Sequence, residues 1–114
     1  MKILKVLALF LVATVMTFSS AFAAGDAKRG KALFNDTKLA GGTTGKSCNS
    51  CHPGGKGLEN AGDRKEWTMM GKKYKTLEAV INWDIEEALH GKALDPKSAD
   101  MADLVAYIKS LKKD

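Results

Sequence analysis

Cys48-Asn49-Ser50-Cys51-His52 decides how this chain is read. Two thiols, the only two in the chain, stand one helical turn apart, and an imidazole directly follows the second. That spacing has a physical use: each thiol can add to one of the two vinyl groups along an edge of a porphyrin, and the next imidazole then falls under the iron. The motif reads as the attachment site of one haem c, with Cys48 and Cys51 as covalent anchors and His52 as the proximal iron ligand. A thioredoxin-like Cys-x-x-Cys needs a strand feeding the motif and a βαβ context, and neither is visible around it. A zinc site would have to use His52 and His90, the only two histidines. Adjacent residues such as Cys51 and His52 rarely both ligate one tetrahedral ion.

The N-terminus agrees with attachment outside the cytoplasm. Lys2 and Lys5 precede an apolar run from Val6 to Phe18, which gives way to Ser19-Ser20-Ala21-Phe22-Ala23-Ala24. This is the order of a secretory signal peptide, expected to end at residue 23, and the run is too short for a membrane anchor. Residues 24–114 are then one small domain, near the size at which a protein-only core is marginal, and a covalent apolar cofactor would fill the deficit. The formal net charge of +5 falls to +3 without Lys2 and Lys5. The lysines are not gathered with aromatics as a nucleic-acid surface would have them. They serve solubility, or steer docking onto redox-partner proteins with acidic surfaces. A periplasmic monomer without a membrane anchor is expected.

Periodicity gives an all-α chain with three helices and no convincing strand. The first starts at an Asp26 cap and runs from Ala27 to about Asn35, with Gly30, Leu33 and Phe34 on one side. Gly-, Thr- and Lys-rich sequence from Thr37 to Ser47 reads as a loop, and so does the stretch from Pro53 to about Lys75. The second helix is capped by Thr76, shows Leu77, Val80, Ile81, Ile85, Ala88 and Leu89 on one face, and stops at Gly91. Asp84 projects from the middle of that apolar face, the oddest placement in the chain. Its carboxyl should titrate high if buried near haem, or low if Arg64 or a lysine reaches it, and the simplest alternative is that this face is only partly buried. Ser98 caps the third helix, whose stripe is Met101, Leu104, Val105, Ile108 and Leu111.

The segment Gly25 to Phe34, the motif Cys48 to His52, and Leu104-Val105-Ala106-Tyr107-Ile108 together resemble the class I monohaem c-type cytochromes. The resemblance covers nearly all of the chain beyond the signal. It implies a small cytochrome c-like fold in which the N- and C-terminal helices cross beside one covalent haem, Gly30 meeting Tyr107. Leu77 to Asp84 and His90 to Asp95 are also similar to a subgroup related to thiosulfate-oxidising proteins. Members of that subgroup often place a haem-ligating Cys where this chain has Asp84. The sulfur is missing here, and carboxylate is a poor ligand for haem iron beside thioether or imidazole.

No catalytic set accompanies the haem, so the expected role is single-electron transfer, not enzyme chemistry. The alternative is a haem that binds a small gas or peroxide at an open or labile sixth site. Its motive is the lack of sulfur between His90 and Lys97, where a ligand would be expected before the last helix. For the sixth position, Met69 is favoured and Met70 is its alternative, because two thioethers stand together where no periodic apolar face asks for them. Met101 lies on a packing stripe and His90 at a helix end, so both rank lower. Trp67 and Tyr74, with Trp83, offer N–H or O–H groups toward a haem propionate, and Arg64 a charged partner.

Overall fold

The computed structural model describes residues 25–112, so the signal peptide and its cleavage site lie outside the described residues. Asp26 starts the first helix, α1 (Ala27–Phe34), because its carboxylate accepts hydrogen bonds from the Lys28 and Arg29 N–H groups at 2.9 and 3.3 Å. A second, one-turn helix, α2 (Cys48–Cys51), carries the thiols. The third, α3 (Leu77–Glu87), is capped by Thr76, whose hydroxyl accepts from the Ala79 N–H at 3.2 Å. The last, α4 (Ala99–Ser110), is capped by Ser98, which accepts from the Met101 N–H at 3.2 Å. All three caps expected from the sequence are in place.

α1 and α4 form the principal packing of the fold, and Gly30 permits their close approach. A Cβ at Gly30 would lie 1.9 Å from the Asp103 carbonyl oxygen and 2.9 Å from Tyr107 Cβ. Beside the crossing, the rings of Phe34 and Tyr107 meet edge to face with centroids 5.0 Å apart. Charge closes the outer side: Arg29 bonds both Asp103 and Asp100, and Asp103 also accepts from the Asp26 N–H at 2.7 Å. These partners hold the Asp103 carboxyl below the usual carboxylate range, the Arg29 hydrogen bond being the larger cause.

The expectation of no strand is corrected. Strands β1 (Trp67–Met69) and β2 (Lys72–Tyr74) pair antiparallel, with Trp67 opposite Tyr74 and Met69 opposite Lys72. Three residues per strand are too few to show an alternation in sequence. The turn between them is Met70-Gly71, both at positive φ (52° and 81°), where Asn-Gly would have announced a hairpin. The end of α3 also differs from expectation. His90, not Gly91, takes the left-handed conformation (φ 54°), while Gly91 is needed for room, since its Cβ would lie 2.9 Å from the Ala40 carbonyl oxygen. The Thr37–Ser47 loop is fastened there, with Thr43 N–H donating to the Leu89 carbonyl and Lys92 N–H to that of Ala40, both at 2.9 Å. Asn82 pins the stretch leading to α4 by exchanging two hydrogen bonds with the Leu94 backbone, at 2.8 and 2.9 Å.

Candidate haem-binding site

Local chemistry sets the motif's shape. Ser47, itself buried, donates its N–H to Ser50 Oγ at 2.9 Å, which fixes the start of α2 and gives both serines a structural task. After His52 the chain doubles back through Pro53–Gly55, with Gly54 and Gly55 at φ 61° and 83°, a course open to glycine at little cost. The Gly54 N–H donates to Asn49 Oδ1 at 2.8 Å, holding this turn against α2. The result is that the Lys56 carbonyl stands 3.0 Å from His52 Nδ1. A carbonyl can only accept, so Nδ1 carries the proton and Nε2 keeps its lone pair. A ring oriented in this way is what a metal-ligating histidine requires. Lys56 was not singled out from the sequence, although Pro53-Gly54-Gly55 was the available sign of a reversal after the motif.

A cavity of about 290 Å³ opens beside this ring, and Cys48, His52, Asp84, Arg64, Trp67 and Met69 all contribute to its wall. Most of the remaining wall is aliphatic or aromatic, supplied by Phe34, Leu58, Leu77, Val80, Ile81, Leu104 and Ile108. A smaller hollow of about 30 Å³ carries Cys51 and shares Cys48, His52 and Asp84 with the larger one. Both thiols and the imidazole thus border adjoining spaces. Cys51 is exposed, whereas burial, with the Asp84 charge adding, pushes the Cys48 thiol up to about 11.

The other residues singled out from the sequence divide into two groups. Trp67 is buried at the cavity wall, with the Arg64 guanidinium 5.8 Å from its ring centroid, a cation–π distance. Met69 reaches the same wall from β1. Tyr74, though directly opposite Trp67 in the hairpin, does not line the cavity, and half-buried Trp83 does not either. Met70 is 92% exposed at the turn, because strand alternation and its positive φ carry its side chain away from its neighbour's. Met101 is fully buried among the packing residues of α4, and His90 is exposed at the end of α3. Neither borders the cavity.

Asp84 is half-buried, and burial is the larger influence on its carboxyl, raising it above the ordinary value, with His52 opposing the shift. No lysine or arginine has a comparable effect, so of the two directions open from the sequence the raised one holds.

The residues fit a haem. The site has an apolar recess near the volume range of cofactor pockets, thiols bordering it at the attachment spacing, and an imidazole nitrogen held with its lone pair available. A comparison with protein families matches residues 29–114 to the SoxA/TsdA cytochrome c domain. No curated protein and no solved structure matches the chain significantly.

Proposed function

Because the chain belongs to the SoxA/TsdA cytochrome c domain family, and so carries covalently bound haem c, we propose that it is a periplasmic carrier of single electrons without an enzymatic activity of its own. Its leader, a signal peptide by sequence, supports export, and among the described residues no helix is long and apolar enough to cross a membrane. The observation that carries the reading is His52, which shares one apolar cavity with Cys48 while its Nδ1–H is committed to the Lys56 carbonyl at 3.0 Å.

When bound, haem supplies reversible one-electron chemistry at its iron. The chain's own part is to fix and insulate it. Cys48 and Cys51 hold it covalently, so it stays bound in both oxidation states. The Lys56 carbonyl fixes the orientation of the His52 ring. Phe34, Leu104 and Ile108, together with Leu77 and Ile81 of α3, keep water from the site and reduce the rearrangement that a change of charge would otherwise impose. Met69 would be the second side chain, with His52, to hold the iron, since among the described methionines it alone lines the cavity. Asp84, standing where the subgroup places a sulfur ligand, would leave that subgroup's thiosulfate chemistry without its cysteine.

The test begins with attachment. Protein made in a host with working haem-attachment machinery should keep one haem mass on the chain after denaturation in acid and organic solvent. Cys48→Ala and Cys51→Ala should each lower the yield of loaded protein sharply. Carbon monoxide added to the reduced protein should leave the Soret band in place. An immediate shift would instead favour a ligand-binding haem, and a colourless product would end the haem reading itself.

A further inference from the structure

The hairpin and its approach have a charge and a shape that holding a haem does not require. Residues 64–75 contain five basic side chains, Arg64, Lys65, Lys72, Lys73 and Lys75, against the single acid Glu66. Their net charge exceeds that of residues 25–112 as a whole, so the remainder of the described chain is slightly acidic. The one acid is engaged by Lys73 at 3.3 Å. Two cations are held over rings, Arg64 over Trp67 and Lys72 over Tyr74, at 5.8 and 5.4 Å from the centroids. Such stacking fixes long side chains that would otherwise lose rotamer freedom on meeting a partner.

In the middle of this charge stands Met70. It is the exposed large hydrophobic residue among those described, at 92%, and it holds a φ of 52° that Gly or Asn would adopt with less strain. Exposure and backbone strain are two separate costs. The adjacent residue, Met69, lines the cavity, so solvent-facing tip and cavity wall are one residue apart, or about 3.8 Å between Cα atoms. Arg64 and Trp67 extend the same continuity from surface to cavity.

We propose that the β1–β2 hairpin is the surface through which this domain docks its redox partner, Met70 entering an apolar spot on that protein while Arg64, Lys65, Lys72 and Lys75 engage an acidic rim around it. The inference rests on the carrier reading above and adds the partner's surface chemistry. An apolar centre within a charged rim is the general anatomy of protein interfaces, and opposite charge accelerates encounter most at low salt. One small hairpin implies a contact at the lower end of interface sizes, suited to rapid release.

Two measurements on the haem-loaded protein test it. In the first, isotope-labelled protein is titrated with a synthetic peptide carrying a leucine flanked by glutamates. Backbone amide shifts should concentrate in residues 64–75, and Met70→Asn should weaken binding at least ~3-fold without lowering the melting temperature, since Asn tolerates this φ. Shifts centred on α1 or α4 would overturn the proposal. So would hairpin-dependent binding to phosphatidylserine vesicles in place of the peptide, which would assign the surface to lipid.

In the second, the oxidation rate of the reduced protein is followed with hexacyanoferrate, and its reverse with hexaammineruthenium. At low salt, Lys72→Glu with Lys75→Glu should slow the anionic reagent roughly 10-fold and speed the cationic one, and high salt should erase both effects. Lys31→Glu on α1 should change either rate less than ~2-fold. Equal responses from the two sets would reject the hairpin while leaving the carrier reading intact. If neither reagent exchanges electrons, the carrier reading fails, and the peptide titration alone decides whether the hairpin binds an acidic protein surface.

Discussion

Replacing Gly30 by Ala should destabilise the protein although helix propensity predicts the opposite. Gly30 lies inside α1, and Ala is the better helix former by about 1 kcal/mol, so an isolated helix would gain that much. At the α1–α4 crossing, however, the new methyl would lie 1.9 Å from the Asp103 carbonyl oxygen and 2.5 Å from its carbon, both backbone atoms. Backbone cannot rotate aside as a side chain can, so α1 must retreat by roughly 1 Å to restore a tolerable contact. That retreat loosens the Phe34–Tyr107 ring contact and the Asp26 N–H bond to Asp103. Overpacking of this kind costs about 1–3 kcal/mol, and lost ring packing and hydrogen bonding add about 1 kcal/mol each. After the propensity gain, a net loss of about 2–4 kcal/mol remains. For a domain of this size it lowers the melting temperature by at least about 8 °C. Thermal unfolding of the loaded protein, followed by far-ultraviolet circular dichroism, reads this directly. Ala32→Gly, at an exposed position of the same helix, provides the propensity reference and should cost about 1 kcal/mol. A melting temperature in Gly30→Ala equal to wild type or above it would refute the close crossing.

Met69→Ala should abolish the weak sulfur-to-iron band of the oxidised protein and lower its midpoint potential, whereas Met101→Ala should keep the band and lose about 2–5 kcal/mol of stability, because its side chain is fully buried. Loss of the band in Met101→Ala alone would show the wrong sulfur had been chosen. Asp103 gives the acid limb of the stability curve a defined sign. Its native carboxyl titrates below the unfolded value of about 4, so its contribution is complete above that pH and disappears as pH falls through the lowered native value. Asp103→Asn should therefore flatten the loss of urea resistance below about pH 4, and an unchanged acid limb would contradict the Arg29 and Asp26 contacts as its source.

The helices were legible because each begins with a side chain that can cap it. Asp26, Thr76 and Ser98 all accept hydrogen bonds from the N–H groups that follow. Gly30 and Tyr107 were legible as a pair through resemblance, and the structure supplies the reason in the distance a Cβ would have. The hairpin was hidden because its strands are short and its turn places Met at a φ for which Met has no preference. Missing it also obscured the difference between Met69 and Met70. Read as loop neighbours the two thioethers are interchangeable, but on a strand end and a turn one borders the cavity and the other faces solvent. The role of Lys56 was equally hidden, since the contact uses its backbone carbonyl and could have come from any residue the preceding turn placed there.

Asp84 shows what an anomaly in an apolar stripe can mean. Read as one face packed against protein, the stripe on α3 makes a carboxylate in its middle costly, with several kcal/mol at stake for a charge fully buried and unpaired. The structure divides that stripe. Ile85 and Leu89 are buried in the core, Val80 and Asp84 border the cavity, and Leu77 and Ile81 belong to both sets. An apolar face wider than its protein contacts need is itself a sign of an apolar partner, and Leu104 and Ile108 on α4 repeat it. The cavity also explains why the acid is tolerated, because Asp84 is only half-buried there and borders open space instead of packed hydrocarbon. Among the described residues it is the hairpin, not legible in the sequence, that brings a thioether, Met69, to the same wall as Asp84.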